Sequence, residues 1–405
     1  MSSHRENYGF RLKKCIIKFS LMKWLEDGKF KAVMHLGAFI FFGGTLLWML
    51  KALFLGLYPD FSVYYYGSQL FLSGQNPYLS GQKLFSGYSY PPSVFLLFVP
   101  FVLLPFQTSQ LLWVFLNVLC LIASIVLLAK LFSVKFFSDT NLILSGFIFI
   151  SFPVKFTLGM GQINILILFF LVLSLYFLKV KNYLFGGVFL GLSLVIKLFP
   201  LLLPVYFLLK LNKKILTGLL AIFGAAFFCV IIFVPEKTNL YFFHNVVPYF
   251  FSASWKLDYY SQSLSAFIGR TFGTGIEGNF LRIVITIIII FITFFVIFKK
   301  SRNDFETLSL EYGLLITATM LINTFSWQHH FVWLIIPFYA LTVYLLKNKM
   351  GKLYFLLLTI SYFLVAANLR TPEDFPPLVR SHVFFGAVFL FILGIKILLT
   401  KKQNN

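Results

Sequence analysis

The stretch that follows the first long apolar run of the chain, residues 58–66, reads YPDFSVYYY. It contains Asp60, one of only 13 acidic residues in the protein. A carboxylate beside a long apolar segment and three tyrosines is costly to keep there unless it has a partner or a task. Two interpretations are open at this point: a solvated residue at a helix end, or a functional carboxylate. The rest of the chain has to decide between them.

The composition indicates a polytopic membrane protein. Of 405 residues, 59% are hydrophobic and 12% are charged, with 55 Phe and a mean hydropathy of +0.88. Soluble domains carry roughly a quarter charged residues. The net charge of +21 comes from Lys and Arg in short loops and at the two ends, as the positive-inside rule and contact with anionic lipid require. No basic domain suited to nucleic acid is present, and three scattered cysteines suggest neither a disulfide framework nor a metal site.

The apolar runs predict an all-α transmembrane helix bundle. Residues 1–35 are polar and basic, too long and mixed for a cleaved signal peptide, and we interpret them as a cytoplasmic lead-in. Runs of about twenty apolar residues predict spans. These fall near 36–57, 108–132, 141–157, 162–178, 215–234, 281–298, 309–324, 328–346, 352–369 and 382–400. Two further stretches, 92–106 and 184–209, are interrupted by prolines. If both cross there are about 12 spans, and if both are re-entrant there are 10.

Both counts give the same orientation for the polar segments. The basic lead-in places the N-terminus in the cytoplasm, so that Asp60 and the segments 58–91, 235–280 and 370–381 lie outside. The first outer segment is expected to form interfacial helices. Residues 36–400 are then a single membrane domain, and 401–405 are a cytoplasmic tail. The charges around Lys130 and Lys179 slightly favour ten spans.

Enumeration of the acidic residues favours a role for Asp60. A carboxylate general base acting outside the membrane must come from the acids predicted there. These are Asp60, Glu236, Asp258, Glu277, Glu373 and Asp374. Asp60 is the one closest to a helix end and to aromatic cover, where desolvation brings its pKa nearer the working range.

Three other groups of polar residues are candidates for the site. His329 and His330 end the motif SWQHH at 326–330, and on a helix they point about 100° apart, so that one can meet an anion while the other packs. Lys197 interrupts an apolar segment, which suits either a phosphate partner or snorkelling. Gln162 and Asn164 stand at the start of an apolar span, where Gln162 either binds a ligand or caps the helix.

Seven short motifs in order resemble one family. They are DFxVYY at 60–65, GxNPY at 74–78, YPP at 90–92, GQxN at 161–164, KxxP at 197–200, QSL at 262–264 and SWxHH at 326–330. This series, within about residues 36–346, is similar to glycosyltransferase family eighty-seven, membrane enzymes of the GT-C class typified by polyprenol-phosphate-mannose-dependent mannosyltransferases. Gln328 departs from the family, in which an acidic residue often precedes the histidines.

The resemblance implies an inverting transfer of a hexose, usually mannose, from a lipid phosphate to an acceptor hydroxyl at the extracytoplasmic face. It implies that Asp60 is the catalytic residue, and it favours 12 spans. We further predict two groups of site residues. Those for the donor phosphate or sugar are Lys197, His329, His330, Gln162 and Asn164. Those for the acceptor or for loop positioning are Tyr64, Tyr65, Asn76, Tyr78 and Gln262.

The chemistry expected of such a site is simple. A phosphate is a good leaving group, so one base and positive charge near the phosphate suffice. No nucleotide-binding motif is present, and neither a cofactor nor a metal ion is predicted. The expected partners are a lipid-linked sugar donor, a glycan or glycolipid acceptor and membrane lipid, in the inner (plasma) membrane. A transporter or lipid flippase is the main alternative, and a structural subunit of an envelope complex is another.

Overall fold

The structure is a computed structural model that describes residues 58–79, 88–248, 257–300, 304–370, 372 and 374–401, with a few scattered positions before residue 58. These residues form α-helices and no β-strand, which confirms the all-helical fold for them. The first nine helices are α1 Pro59–Leu72, α2 Ser93–Val102, α3 Phe106–Leu131, α4 Asp139–Ile150, α5 Phe152–Met160, α6 Asn164–Lys179, α7 Tyr183–Ile196, α8 Leu202–Leu209 and α9 Lys213–Phe233.

Eight more helices complete the described chain. They are α10 Glu236–Tyr241, α11 Leu264–Phe272, α12 Ile276–Lys300, α13 Phe305–Ile322, α14 Ile335–Lys347, α15 Lys352–Ala366, α16 Pro377–Arg380 and α17 His382–Thr400. A 3₁₀ turn at Pro77–Leu79 and a 3₁₀ helix at Gln328–Leu334 interrupt the α-helices, and a π turn lies at Phe242–Val246.

In the described part of the chain, six helices are long and apolar enough to cross a membrane. They are α3, α9, α12, α13, α17 and the continuous segment Gln328–Lys347. The pair α4 and α5 makes a seventh if it is one span bent by 55°. The protein is therefore a multi-pass membrane protein. The predicted span 36–57 lies almost wholly outside the described residues, so the total of twelve spans stays a prediction.

Both proline-interrupted segments form short helices. α2 has ten residues, about 15 Å at 1.5 Å per residue, which is half of a bilayer core. Residues 184–209 break after Ile196, where Pro200 cannot donate a helical hydrogen bond, and continue as the eight-residue α8, which accommodates Pro204 in its first turn.

The bundle is centred on α13, in which almost every residue from Thr307 to Leu321 is buried. Around it pack α8, α14, α17 and the 3₁₀ helix. On one side α7 lies very close to α9: a Cβ on Gly187 would stand 2.0 Å from the carbonyl oxygen of Ile215. Small residues at such contacts let membrane helices approach closely.

Basic residues of several helix ends meet acidic residues at the start of α13, and we call this the basic end. The ion pairs are Lys210–Glu311 (3.1 Å), Lys347–Glu306 (2.8 Å) and Lys401–Asp304 (3.0 Å). Lys179 reaches the same place, because its ammonium bonds the carbonyl oxygen of Lys130 and lies over the ring of Phe305.

The segment 184–209 starts and finishes at the basic end. α7 follows Lys179 and α8 is followed by Lys210, whereas Lys197 between them lies beside Asn164 at the opposite end of α6. For this segment the structure therefore supports the re-entrant alternative over the full crossing that the 12-span topology requires.

Candidate active site

Asp60 lies in the first turn of α1, directly after Pro59. Proline suits this position because an N–H in the first turn has no acceptor inside the helix, so that its absence costs no hydrogen bond. A carboxylate in the same turn lies at the positive end of the helix dipole. Burial raises the pKa of the Asp60 carboxyl to about 6, while the hydrogen bond from Gln162 and a positive charge on Lys197 limit the rise. The carboxyl is thus held near the range in which a general base works.

Gln162 is the direct partner of Asp60. Its Nε2–H donates to Asp60 Oδ2 over 2.7 Å, and its Oε1 accepts from the hydroxyls of Tyr64 (2.8 Å) and Tyr90 (3.2 Å). The capping alternative for Gln162 is wrong, because Ile163 is the N-cap of α6 and no side chain caps that helix. The amide instead joins the carboxylate to two tyrosines.

A glycine turn delivers Gln162 to this place. α5 ends at Gly161, which has φ of +69°, and a Cβ there would stand 2.9 Å from Cβ of Phe61. Positive φ and the close approach both favour glycine. Trp113 holds the turn from α3, since its Nε1–H donates to the Gly161 carbonyl over 2.7 Å.

Lys197 occupies the break after α7 and is 9% exposed. Its Nζ donates to Asn164 Oδ1 over 3.2 Å and lies 2.6 Å from Nε2 of His330. The rings of Tyr90 and Phe199 lie 5.5 and 4.9 Å from the same nitrogen. The side chain therefore does not snorkel to an aqueous surface but enters a polar cluster.

The two histidines lie on the 3₁₀ helix, and their ring centroids are 4.3 Å apart. Their other neighbours differ. The His330 ring contacts Lys197, whereas the His329 ring packs 5.3 Å from Phe156. His329 Nδ1 is buried with no hydrogen-bond partner among the described residues, and the His329 carbonyl accepts from Thr157 Oγ1 over 3.0 Å.

A short extended ladder holds the backbone before these histidines. Gln262 N–H donates to the Ser326 carbonyl (2.8 Å) and Gln328 N–H to the Tyr260 carbonyl (3.0 Å), with an antiparallel bridge between Ser261 and Trp327. The loop that provides this ladder is itself held by Arg270, which donates to the carbonyls of Leu257, Asp258 and Ser261.

Four predicted site residues form hydrogen bonds with groups outside the polar cluster. Tyr65 donates to the Leu104 carbonyl, and Asn76 Oδ1 accepts from Tyr78 N–H. Tyr78 donates to the Tyr90 carbonyl, and Gln262 Nε2 donates to the carbonyls of Tyr259 and Arg380. Their contacts organise loops, which is one of the two roles predicted for them.

The rival outer carboxylates have other settings. Asp258 accepts the backbone N–H groups of Tyr260 and Ser261 and thereby closes its own turn. The side chains of Asp258, Glu236, Glu277 and Asp374 are exposed, and Glu373 lies outside the described residues. No cluster of three or more His, Cys, Asp or Glu side chains suited to a metal ion occurs in the described part of the chain.

Three site residues were missed as individual predictions. Tyr90 reaches both Gln162 and Lys197, and its signal was the YPP motif at 90–92. Trp113 and Thr157 hold the Gly161 turn and the histidine helix, and a buried tryptophan N–H within an apolar span needs such an acceptor.

A family match agrees with the membrane-enzyme interpretation. The sequence matches glycosyltransferase family 87 over residues 88–324. This region contains Tyr90, Gln162, Asn164, Lys197 and Gln262, whereas Asp60 and the two histidines lie outside it. No curated protein gives a significant match.

Two solved structures resemble the fold. They are crystal structures of ArnT from Cupriavidus metallidurans, one bound to undecaprenyl phosphate and one in the apo state. Each is 13% identical and covers 88% of this chain. The shares of the ArnT chain covered are 76% and 75%, with TM-scores of 0.43 and 0.41. Because the family match spans more than half of the sequence, the protein belongs to glycosyltransferase family 87 and is a membrane glycosyltransferase.

Proposed function

We propose that the protein transfers a hexose, most simply mannose, from a polyprenyl-phosphate donor to an acceptor hydroxyl, with inversion and with Asp60 as the general base. The observation that carries the proposal is the single polar cluster in which Gln162 holds the Asp60 carboxylate and Tyr90 connects it to Lys197 and His330. Family membership sets aside the transporter and flippase alternative.

The two halves of this cluster suit the two halves of the reaction. In an inverting transfer the base takes the proton of the acceptor hydroxyl on one face of the sugar, while the phosphate leaves from the other. Asp60 is the half-buried acid of the cluster, and Lys197 with His330 supplies nitrogen donors where negative charge grows on the leaving phosphate. Neither step requires a cofactor or a metal ion.

The position of the cluster supports an extracytoplasmic active site. Lys179, Lys210, Lys347 and Lys401 gather at the basic end, and Lys197 and Asn164 lie at the other end of α6. Because basic residues are retained on the cytoplasmic side, we place the cluster on the outer side of the inner (plasma) membrane and the N-terminus inside. The lipid-linked donor then reaches the site from the bilayer, and a glycan or glycolipid acceptor reaches it from outside.

The test is the variant Asp60→Asn in a transfer assay with polyprenyl-phosphate mannose and a lipid extract as the acceptor source. We expect the rate of sugar transfer to fall about 10²- to 10⁴-fold, the usual contribution of a positioned base, with unchanged thermal unfolding. Asp374→Asn, at an exposed outer carboxylate, is the matched control and should keep full activity. Near-normal transfer by Asp60→Asn would refute the assignment, and an inverted anomeric centre in the product would support it.

A further inference from the structure

An apolar groove lies beside the polar cluster, between α4 on one side and α14 and α15 on the other. Its volume is about 450 Å³, within the range of about 300–1,000 Å³ that is usual for ligand sites. Its lining is mostly apolar and includes Ile143, Phe147, Ile335, Phe338, Leu358 and Phe363. The groove is distinct from the polar cluster, because neither Asp60 nor Lys197 lines it.

The groove runs along the helices rather than across them. On α4 and its C-cap the lining extends from Asp139 to Ser151, about 18 Å at 1.5 Å per residue. On the facing segment it extends from Phe331 to Leu346, which directly precedes Lys347 of the basic end. The groove therefore leads from the 3₁₀ helix inward to the basic end, over more than half of a hydrocarbon core of about 30 Å.

The outer end of the groove meets the two histidines. Phe331, which lines the groove, directly follows His330. Thr157 Oγ1 lies 2.7 Å from the carbonyl oxygen of Pro153, another lining residue, and 3.0 Å from that of His329. His329 Nδ1 is buried without a hydrogen-bond partner among the described residues, a state that is rare for polar atoms in folded proteins. A ligand with an apolar chain and a polar head matches this end of the groove.

Two tyrosine hydroxyls hold the α4 wall of the groove. Tyr339 of α14 donates to Asn141 Oδ1 over 2.8 Å, and Tyr362 of α15 donates to the Phe147 carbonyl over 2.6 Å. The hydrocarbon region holds no water, so each hydroxyl depends on its partner in α4. These bonds fix α4 relative to α14 and α15, and the groove is therefore preformed. Its side opens toward lipid at Phe363, which is 57% exposed.

We propose that this groove binds the first isoprene units of the donor's polyprenyl chain, with the phosphate of the donor beside His330 and Lys197. The chain runs inward from the phosphate, as a lipid anchored at the outer surface does, and it passes into the bilayer where the groove opens at Phe363. The inference rests on the proposed function, since a polyprenyl phosphate is the proposed donor.

The position of the groove favours the donor over a lipid acceptor as its occupant. In an inverting transfer the acceptor and the leaving phosphate lie on opposite faces of the sugar. The groove ends at the histidines, whereas the proposed base Asp60 lies on α1, which contributes no lining residue. The chain attached to the leaving phosphate is therefore the one that reaches the groove.

The length of the groove limits its effect on binding. A chain that moves from lipid into the groove gains little from the hydrophobic effect, because it leaves one apolar surrounding for another. The gain comes from close packing against a preformed wall, and only for the isoprene units inside the groove. A geranyl chain fills the outer part, a geranylgeranyl chain is about as long as the groove, and a longer chain adds no further contact.

Steady-state kinetics of the full chain in detergent test this inference. The donors are geranyl, geranylgeranyl and solanesyl phosphate esters of mannose, an all-trans series of increasing length. For the wild type we expect KM to fall about tenfold from the geranyl to the geranylgeranyl donor, about 1.4 kcal/mol, and to fall no further with the solanesyl donor. The value of kcat should stay the same, because the chain binds alike in the ground state and the transition state.

A variant that fills the groove provides the second arm. Thr342→Trp places a large side chain in the inner half of the groove, and it should abolish the difference in KM between the geranyl and geranylgeranyl donors. Leu356→Trp is the matched control. It adds the same side chain to α15 outside the groove, at a residue that is 55% exposed, and it should keep the wild-type difference.

Each outcome decides a separate point. No transfer from any of the three donors by the wild type would overturn the proposed donor, and this inference with it. Transfer with one KM for all three would overturn the groove alone and leave the proposed donor standing. A length dependence that persists in folded Thr342→Trp would place the chain elsewhere and overturn the inference. If that variant fails to fold, photolabelling by geranylgeranyl phosphate with a terminal diazirine decides. Label on α4, α14 or α15 supports the groove, and label on other helices alone overturns it.

Discussion

Gln162 donates a hydrogen bond of 2.7 Å to Asp60 Oδ2 across 102 residues of chain. This bond favours the ionised carboxylate, whereas burial favours the protonated form and raises the pKa of Asp60 to about 6. The balance between the two sets the pH at which the proposed base can accept a proton.

The pH profile of transfer should report this balance. A base must be ionised to act, so we expect kcat/KM to fall about tenfold per pH unit below about pH 6. Gln162→Met removes the hydrogen-bond donor to the Asp60 carboxylate, and the midpoint of the pH profile of kcat/KM should then move to higher pH. Tyr90→Phe keeps that donor and the ring near Lys197, and it should leave the midpoint in place. A midpoint in Gln162→Met that is unchanged or lower would contradict the role of this bond.

The Gly161 turn should not tolerate a side chain. Gly161→Ala places a Cβ 2.9 Å from Phe61 on a residue with φ of +69°, and we expect a loss of about 1–2 kcal/mol in stability together with reduced transfer. Gly224→Ala, in α9 with no atom within 4 Å of its new Cβ, is the control and should be neutral or stabilising. Thermal unfolding in detergent compares them. Equal melting temperatures for the two variants would show that the turn is not strained.

Arg270 should act on the histidines through the loop that it holds. Its guanidinium donates to three carbonyls between residues 257 and 261, and a lysine cannot reproduce that fork. We expect Arg270→Lys to reduce transfer about 10- to 100-fold by displacing the ladder before His329. Arg370→Lys, at an exposed arginine, should have no effect. Full activity in Arg270→Lys would mean that the backbone ladder before His329 forms without the Arg270 guanidinium.

The Lys210–Glu311 pair at the basic end should stabilise the fold without affecting the chemistry. Glu311 is 1% exposed and also accepts from the Tyr206 hydroxyl. Lys210→Met leaves this carboxylate without its cation, and we expect a loss of about 2–4 kcal/mol. Lys210→Met combined with Glu311→Gln should recover most of the loss. Strictly additive unfolding energies in this double-mutant cycle would refute the coupling.

The helices could be predicted from the sequence, but most contacts of the site could not. Apolar length is a local property, and the described chain has a helix in each predicted span that it covers, such as α3 for 108–132 and α17 for 382–400, whereas the span 36–57 lies almost wholly outside it. Asp60 could be singled out because acids are rare and topology removes most of them. Its bond to Gln162 joins segments whose proximity depends on how several helices pack, and a single sequence does not record that packing.

The same limit explains why two interpretations stayed open for each of two residues. Gln162 follows a glycine at a helix start, a pattern that fits a cap as well as a ligand, and only the packing of α1 against this turn brings the carboxylate within reach. The sequence around Lys197 is compatible both with a side chain that snorkels to the surface and with one that enters a polar cluster. The proline break after α7 decides the matter, because it ends the helix where Asn164 and His330 lie.

The placement of Asp60 and Lys197 at helix ends has a consequence for biosynthesis. Gln162 is made 102 residues after Asp60, and His330 is made 133 residues after Lys197. Protein synthesis adds roughly 5–20 residues per second. At that rate Asp60 waits about 5–20 s for Gln162, and Lys197 waits about 7–27 s for His330. A charge in the middle of a helix would spend that interval in hydrocarbon. A charge in the first turn of α1 or just beyond α7 can stay hydrated at the membrane surface until its partner has been inserted.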